Sequence, residues 1–236
     1  MMLIKNTGIG SICKRIHSMK YSPFLVLFLS LALIFIFSAG VSAQNDDKHL
    51  IQARKLFDKK KYDRALEAYQ KSFQINPNWK AAYGIGSDYL RKSNYLEAIA
   101  YFRKAQELKA DEPLIWYSLG YSFGRMNENE QAIAALRKAV ELKPNYIDAW
   151  YNLGSVLFKA ERHKEAVESY QTTVKLNPKD AEAYVYLGVA HSNLNELDKA
   201  VESFRKAVKI SPDNESYRQN LAALENKIKE QNRKEP

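Results

Sequence analysis

Glycine recurs at Gly86, Gly120, Gly154 and Gly188, and three further sets of residues keep the same 34-residue step. These are Ala98, Ala132, Ala166 and Ala200; Phe102, Leu136, Tyr170 and Phe204; and Ala105, Ala139, Thr173 and Ala207. Pro144, Pro178 and Pro212 close three units, and Ala110 stands where a fourth proline is expected. A step of this size rules out a closed core around one active site. Each unit is a pair of amphipathic helices, too small to bury its own apolar side, so stacked neighbours must cover it.

The residue types fit that packing. A glycine inside a helix costs about 1 kcal/mol relative to alanine. Close approach of two helices at Gly154, Ala166 and Thr173 offsets that loss. Proline cannot continue a helix and ends each unit. Hydrophobic residues make up 46% of the 236 residues, a normal share for a folded chain, and no alternating apolar run argues for a sheet.

The pattern W-x2-L-G-x2-Y, A-x3-F, P is carried by Trp116-Tyr117-Ser118-Leu119-Gly120, Trp150-Tyr151-Asn152-Leu153-Gly154, Ala200-Val201-Glu202-Ser203-Phe204 and Pro212. On these residues the chain resembles the tetratricopeptide (TPR) family over about 46–214. The resemblance implies an all-α, right-handed superhelical solenoid of helical hairpins. Five units are expected, at 46–78, 79–112, 113–146, 147–180 and 181–214. The first has Gln52-Ala53 in place of Leu-Gly and is one residue short. A deletion inside a helix would rotate everything after it by about 100°, so the gap is placed in the turn after Pro77. Leu221, Leu224 and Ile228 begin a sixth unit that then turns polar, which predicts a capping helix and polar tail over 215–236.

Residues 1–43 are different in character. Lys5, Lys14, Arg15 and Lys20 precede an uncharged apolar run, Phe24 to Phe37, and a small-residue exit ending at Ala43. This reads as a secretory signal cleaved to leave Gln44 first. The run would span about 21 Å as a helix, short of a bilayer of about 30 Å, but 24–43 is long enough to cross. An uncleaved anchor is therefore the alternative, and Met19 is a second candidate start. Cys13, the single cysteine, lies in this leader, so the rest of the chain has no disulfide and no thiolate site. Net charge is +9. The leader holds four of the 36 basic residues and no acid, so 32 basic against 27 acidic residues remain, a mild +5. That does not demand nucleic acid.

No catalytic constellation is visible, and no cofactor or metal is expected. His17, His49, His163 and His191 are far apart in sequence with no i, i+4 pair. His191 reads as a packing residue and His163 as a solvated turn residue. Glu128-Asn129-Glu130 reads as a helix start, where negative charge is favourable. Gly84-Ile85-Gly86 and Gly120-Tyr121-Ser122-Phe123-Gly124 follow no strand and lack Gly-Lys-Ser/Thr, so they are not phosphate loops.

If each unit is numbered so that Leu-Gly falls at 7 and 8, positions 2, 5, 9, 12 and 13 share one side of the first helix, opposite the packing side. The resemblance implies that this side lines a concave groove. The candidate binding residues there are Arg54; Tyr83, Ser87 and Arg91; Tyr117, Tyr121 and Arg125; Tyr151, Ser155, Phe158 and Lys159; and Val185 and Asn193. Tyr83, Tyr117 and Tyr151 recur at position 5, and Arg91, Arg125 and Lys159 at position 13. Tyrosine offers apolar area with a polar tip, and arginine grips carboxylates. Together they suit a protein or peptide with apolar and acidic side chains. The carboxylate clamp of some TPR proteins needs Lys at position 5 and Asn at position 9, and neither is present. The expected function is a scaffold or assembly factor holding a partner peptide, exported to a cell envelope. The alternative is a membrane-anchored accessory or sensor module that recruits an enzyme or self-associates.

Overall fold

The computed structural model describes residues 48–234, which form helices and turns with no strand among them. The described residues belong to two compact units that divide between Pro77 and Asn78. The leader, with its signal or anchor segment, lies outside the described residues.

The first unit holds a helix at 48–58 (α1) and α2, Tyr62–Ile75. Ala53, Ala65, Ala68 and Tyr69 are its buried residues, and the rings of Phe57 and Tyr62 meet edge to face at 5.4 Å.

The second unit holds four helix pairs and a last long helix. The pairs are α3 (Trp79–Arg91) with α4 (Tyr95–Leu108), and α5 (Pro113–Arg125) with α6 (Asn129–Leu142). They continue with α7 (Ile147–Lys159) and α8 (His163–Leu176), then α9 (Ala181–Asn193) and α10 (Leu197–Ile210). The final helix is α11, Glu215–Lys234. Every first helix in these pairs has 13 residues and every second helix 14, so the boundaries keep the 34-residue step. The segment between α2 and α3 has three residues, 76–78, where 143–146 has four. The missing residue is thus in a connection and not inside a helix.

Within 78–234 the helices form two layers. First helix α5 packs on α7 and α7 on α9, while each second helix reaches the next unit through that unit's first helix. The seam inside each pair explains the repeated glycine. A Cβ on Gly154 would lie 2.9 Å from Cδ1 of Tyr170, and one on Gly120 would lie 2.6 Å from Cγ of Leu136. Both are closer than real Cβ contacts, so only glycine lets the side chain of the second helix lie flat on the first. Ala98, Ala132, Ala166 and Ala200 are fully buried beside them.

Two devices close the turns. Lys60, Ser93, Asn127, Glu161 and Asn195, one per helix pair, take φ of 57 to 61° between the first and second helix. A non-glycine residue there carries about 1 kcal/mol of strain. At the other turn, Nε1 of Trp116 donates to the Ala110 carbonyl at 2.7 Å and Nε1 of Trp150 to that of Pro144 at 2.8 Å. Arg218 repeats the device at the last turn, donating to the Pro212 carbonyl at 2.8 Å. Helix α11 thus enters as a sixth first helix. Its Leu224 joins Ala200, Val201 and Phe204 in a buried cluster, with Leu221 and Ile228 packed against it. This is the expected cap.

Candidate functional site

The site lies on the side of α3, α5 and α7 built around position 5, where Tyr83 lies 5.4 Å from Phe102 and Tyr151 lies 6.0 Å from Tyr170 of their second helices. Position 5 on these helices holds Tyr83, Tyr117 and Tyr151, and the structure gives each a partner in the following unit, through the hydroxyl for the first two and the ring for the third. The Tyr83 hydroxyl lies 3.3 Å from Oγ of Ser118. Nδ2 of Asn152 donates to the Tyr117 hydroxyl at 3.4 Å. The Tyr151 ring meets the Tyr186 ring edge to face at 5.7 Å. The spacing is 35 residues in all three cases, position 5 to position 6 of the next unit. The tyrosines therefore bind the units together, and what the groove offers is the half-buried rings.

Further rings extend this floor. Tyr146 lies 5.0 Å from Tyr117, Tyr186 lies 5.7 Å from Tyr151, and Tyr186 stacks on Tyr170 at 5.8 Å. Tyr146 occupies the N-cap of α7 yet makes no side-chain cap hydrogen bond. Asn78 and Asp180, at the same place before α3 and α9, do cap. A lost cap costs about 1 kcal/mol, and the aromatic contact with Tyr117 stands in its place. Burial pushes the Tyr117 hydroxyl up to about 12, with the nearby Asp148 carboxylate adding to it. Tyr151 is raised by burial, then by Tyr186 and Glu182. Ionisation is thus suppressed, and the floor is uncharged.

Charge sits at the two rims. Arg125 is exposed; its Nη1 donates to the Tyr121 hydroxyl at 3.1 Å, and its guanidinium lies over Tyr95 at 5.3 Å and Tyr121 at 5.9 Å. Those contacts raise its pKa, the Tyr121 hydrogen bond most, and fix its direction. Arg91 pairs at 3.0 Å with the buried Asp88, and Lys159 is exposed at the corresponding place. On the other rim position 2 is exposed throughout and mixed in character: Lys80, Leu114, Asp148 and Glu182.

Several expectations change. Val185 is partly buried and packs against the cluster of Ala200, Val201, Phe204 and Leu224, so apolar surface that was expected to face a ligand is covered within the chain. Asn193 donates to the Val189 carbonyl at 2.9 Å. Ser87 donates to its own helix at the Tyr83 carbonyl, and Ser155 is half-buried. Phe158 packs on His163 at 4.9 Å, at the turn between α7 and α8. His163 opens α8 and is partly buried, not a freely solvated turn residue. Arg54 is exposed and belongs to the first unit, while the other candidates belong to the second. The structure brings together Tyr83, Tyr117, Tyr121, Tyr151, Arg91, Arg125 and Lys159 on successive first helices. Tyr146, Asn152 and Tyr186 were not foreseen, although the 35-residue spacing from each position-5 tyrosine to position 6 was visible in the chain.

His191 is 3% exposed, and its Nδ1 lies 2.6 Å from Oε2 of Glu196, the residue that starts α10. That bond, followed by Lys199, holds the Glu196 carboxyl below its usual range. The pair fastens a turn. Among the described residues, no cluster of three or more His, Cys, Asp or Glu could hold a metal ion. No helix of the described residues is long and apolar enough to cross a membrane.

Comparison with known proteins agrees with this architecture. The crystal structure of MamA protein is 28% identical with a TM-score of 0.66, covering 73% of this chain and 94% of that one. A second MamA crystal structure is 30% identical with a TM-score of 0.65, covering 70% and 97%. YrrB, described as a TPR protein with an unusual peptide-binding site, is 27% identical with a TM-score of 0.67, covering 72% and 89%. No curated protein is significantly similar. The family model for the C-terminal domain of cilia and flagella-associated protein 70 matches residues 37–234. Helix pairs in two layers, glycine seams and these matches make one case: the chain belongs to that TPR-type family and is a protein–protein interaction scaffold.

Proposed function

We propose that the inner face of α3, α5 and α7 holds a segment of a protein partner with apolar and acidic side chains. The carrying observation is a floor of uncharged tyrosine rings beside a row of cations, Arg91, Arg125 and Lys159, repeated on successive helices. Aromatic rings supply large contact area at low entropic loss, and guanidinium groups grip carboxylates. The peptide-binding site named for YrrB is consistent with this reading. The basic, apolar and small-residue pattern of 1–43 supports export, with a mature start at Gln44, or retention through 24–43.

The test is affinity purification of the full chain as wild type, Arg125→Glu and Lys164→Glu, with Lys164 exposed on α8. The reading expects a partner captured by wild type and Lys164→Glu and lost with Arg125→Glu. Equal capture by all three would remove the inner face from the account. N-terminal sequencing of exported protein decides the leader: a start at Gln44 supports cleavage, and an intact leader supports the anchored alternative.

A further inference from the structure

We propose that the segment taken by the inner face is a polyproline II helix with a carboxylate at every third residue; this rests on the groove reading above. Three rows cross the first helices, at positions 5, 9 and 13. At 1.5 Å per residue they lie about 6 Å apart along each helix. Tyrosine forms one outer row and Arg91, Arg125 and Lys159 the other. Ser87, Tyr121 and Ser155 run between them.

The step from one first helix to the next sets the register. Packed helices lie about 8–10 Å apart, so each row presents a new side chain about every 9 Å. A polyproline II chain rises about 3.1 Å per residue with three residues per turn, so residues i, i+3 and i+6 stand about 9.3 Å apart on one side. An extended β-strand alternates sides at each residue, so its i and i+3 side chains point in opposite directions. A helical ligand would meet the rows about every 10.5 Å at i and i+7. The floor favours the polyproline form, because preformed proline-rich helices dock on aromatic-lined grooves.

The threefold symmetry then assigns the sides. One residue in three reaches the cations, one packs on the tyrosine rings, and one faces water. On the far rim the exposed Asp148 of α7 repels carboxylates while Lys80 stands at that place on α3, so the acidic side is set toward position 13 at α5 and α7, where Arg125 and Lys159 lie. Arg125 is already held by Tyr121 at 3.1 Å and aligned before a ligand arrives. Asp88 offsets part of the charge at Arg91, so Arg125 and Lys159 dominate the row.

Fluorescence anisotropy of the full chain with four labelled peptides tests this. They are (Glu-Pro-Pro)3, the same composition with the glutamates in one block, (Lys-Pro-Pro)3, and an alanine-based helix with glutamate at i, i+7 and i+14. The expected result is that (Glu-Pro-Pro)3 binds about tenfold or more tighter than each of the others, a difference of about 1.4 kcal/mol. Arg125→Glu should weaken it about tenfold, and Lys164→Glu should leave it unchanged. Equal or tighter binding of the block or the helix overturns the register and leaves the groove reading in place. Failure of (Glu-Pro-Pro)3 while partner capture still depends on Arg125 overturns the polyproline proposal alone. Failure of all four peptides with partner capture indifferent to Arg125 overturns both.

Discussion

Position 8 and position 5 lie on the same first helices, one turn apart, and they treat repetition differently. Position 8 is glycine in all four units of 78–234, and a phenylalanine, leucine or tyrosine of the second helix lies over it. Position 5 is tyrosine three times and then Val185. The partner of each tyrosine at position 6 of the next unit changes from Ser118 to Asn152 to Tyr186. The seam inside a hairpin is fixed by volume, since a single added carbon would sit within 3 Å of its neighbour. The contact between hairpins needs only some group near a tyrosine, which leaves the outer side of the rings to vary with a ligand. Volume holds the hairpins together, and the chemistry available for recognition collects on the other side.

The largest effect that could break this contrast is at the seam. Phe102 is fully buried over Gly86, and Phe102→Ala should cost about 3–5 kcal/mol in urea unfolding. A loss below 1 kcal/mol would mean that the seam carries little of the stability. Gly154→Leu should destabilise by about 1–3 kcal/mol through overpacking against Tyr170. In a Tyr170→Ala background the same change should be much milder. Additive losses in the double mutant would show that the two residues do not share one space.

The inner face should respond more weakly. Tyr117→Phe removes only the hydrogen bond from Asn152 and should cost about 1 kcal/mol, with helicity by circular dichroism unchanged. Alkaline titration gives the same comparison a sign. The Tyr117 hydroxyl is held at about 12, whereas an unfolded tyrosine ionises near 10. Between those values the unfolded chain loses its proton first, so the stabilisation is complete below about pH 10 and falls as pH rises toward 12. Urea midpoints measured from pH 9 upward should decline less steeply in Tyr117→Phe than in wild type. Parallel profiles would place the ring in water.

Much of this was legible in the chain because packing repeats with the sequence. Gly154, Ala166 and Thr173 announced a close approach, and the short first unit fitted only a gap near Pro77, where the three-residue connection 76–78 lies. What escaped depended on contacts across units or on backbone angles. Nothing in Glu161 signals a left-handed turn, since glutamate has no preference for one. Val185 read as groove because the cluster that covers it, Ala200, Val201, Phe204 and Leu224, comes from later helices. Trp150 was legible as part of the repeat motif, but not that its ring N–H ties down the Pro144 carbonyl. The partners of the tyrosine tips were not legible, because helical periodicity gives the direction of a side chain and not what the next unit places there.

Site-specific photo-cross-linking compares the two layers most directly. A photoreactive phenylalanine in place of Tyr121, on the inner face of α5, is set against the same group in place of Ala134, exposed on α6. The account predicts that irradiation joins the partner to the chain from position 121 and not from position 134. Cross-linking from 134 with none from 121 would contradict it.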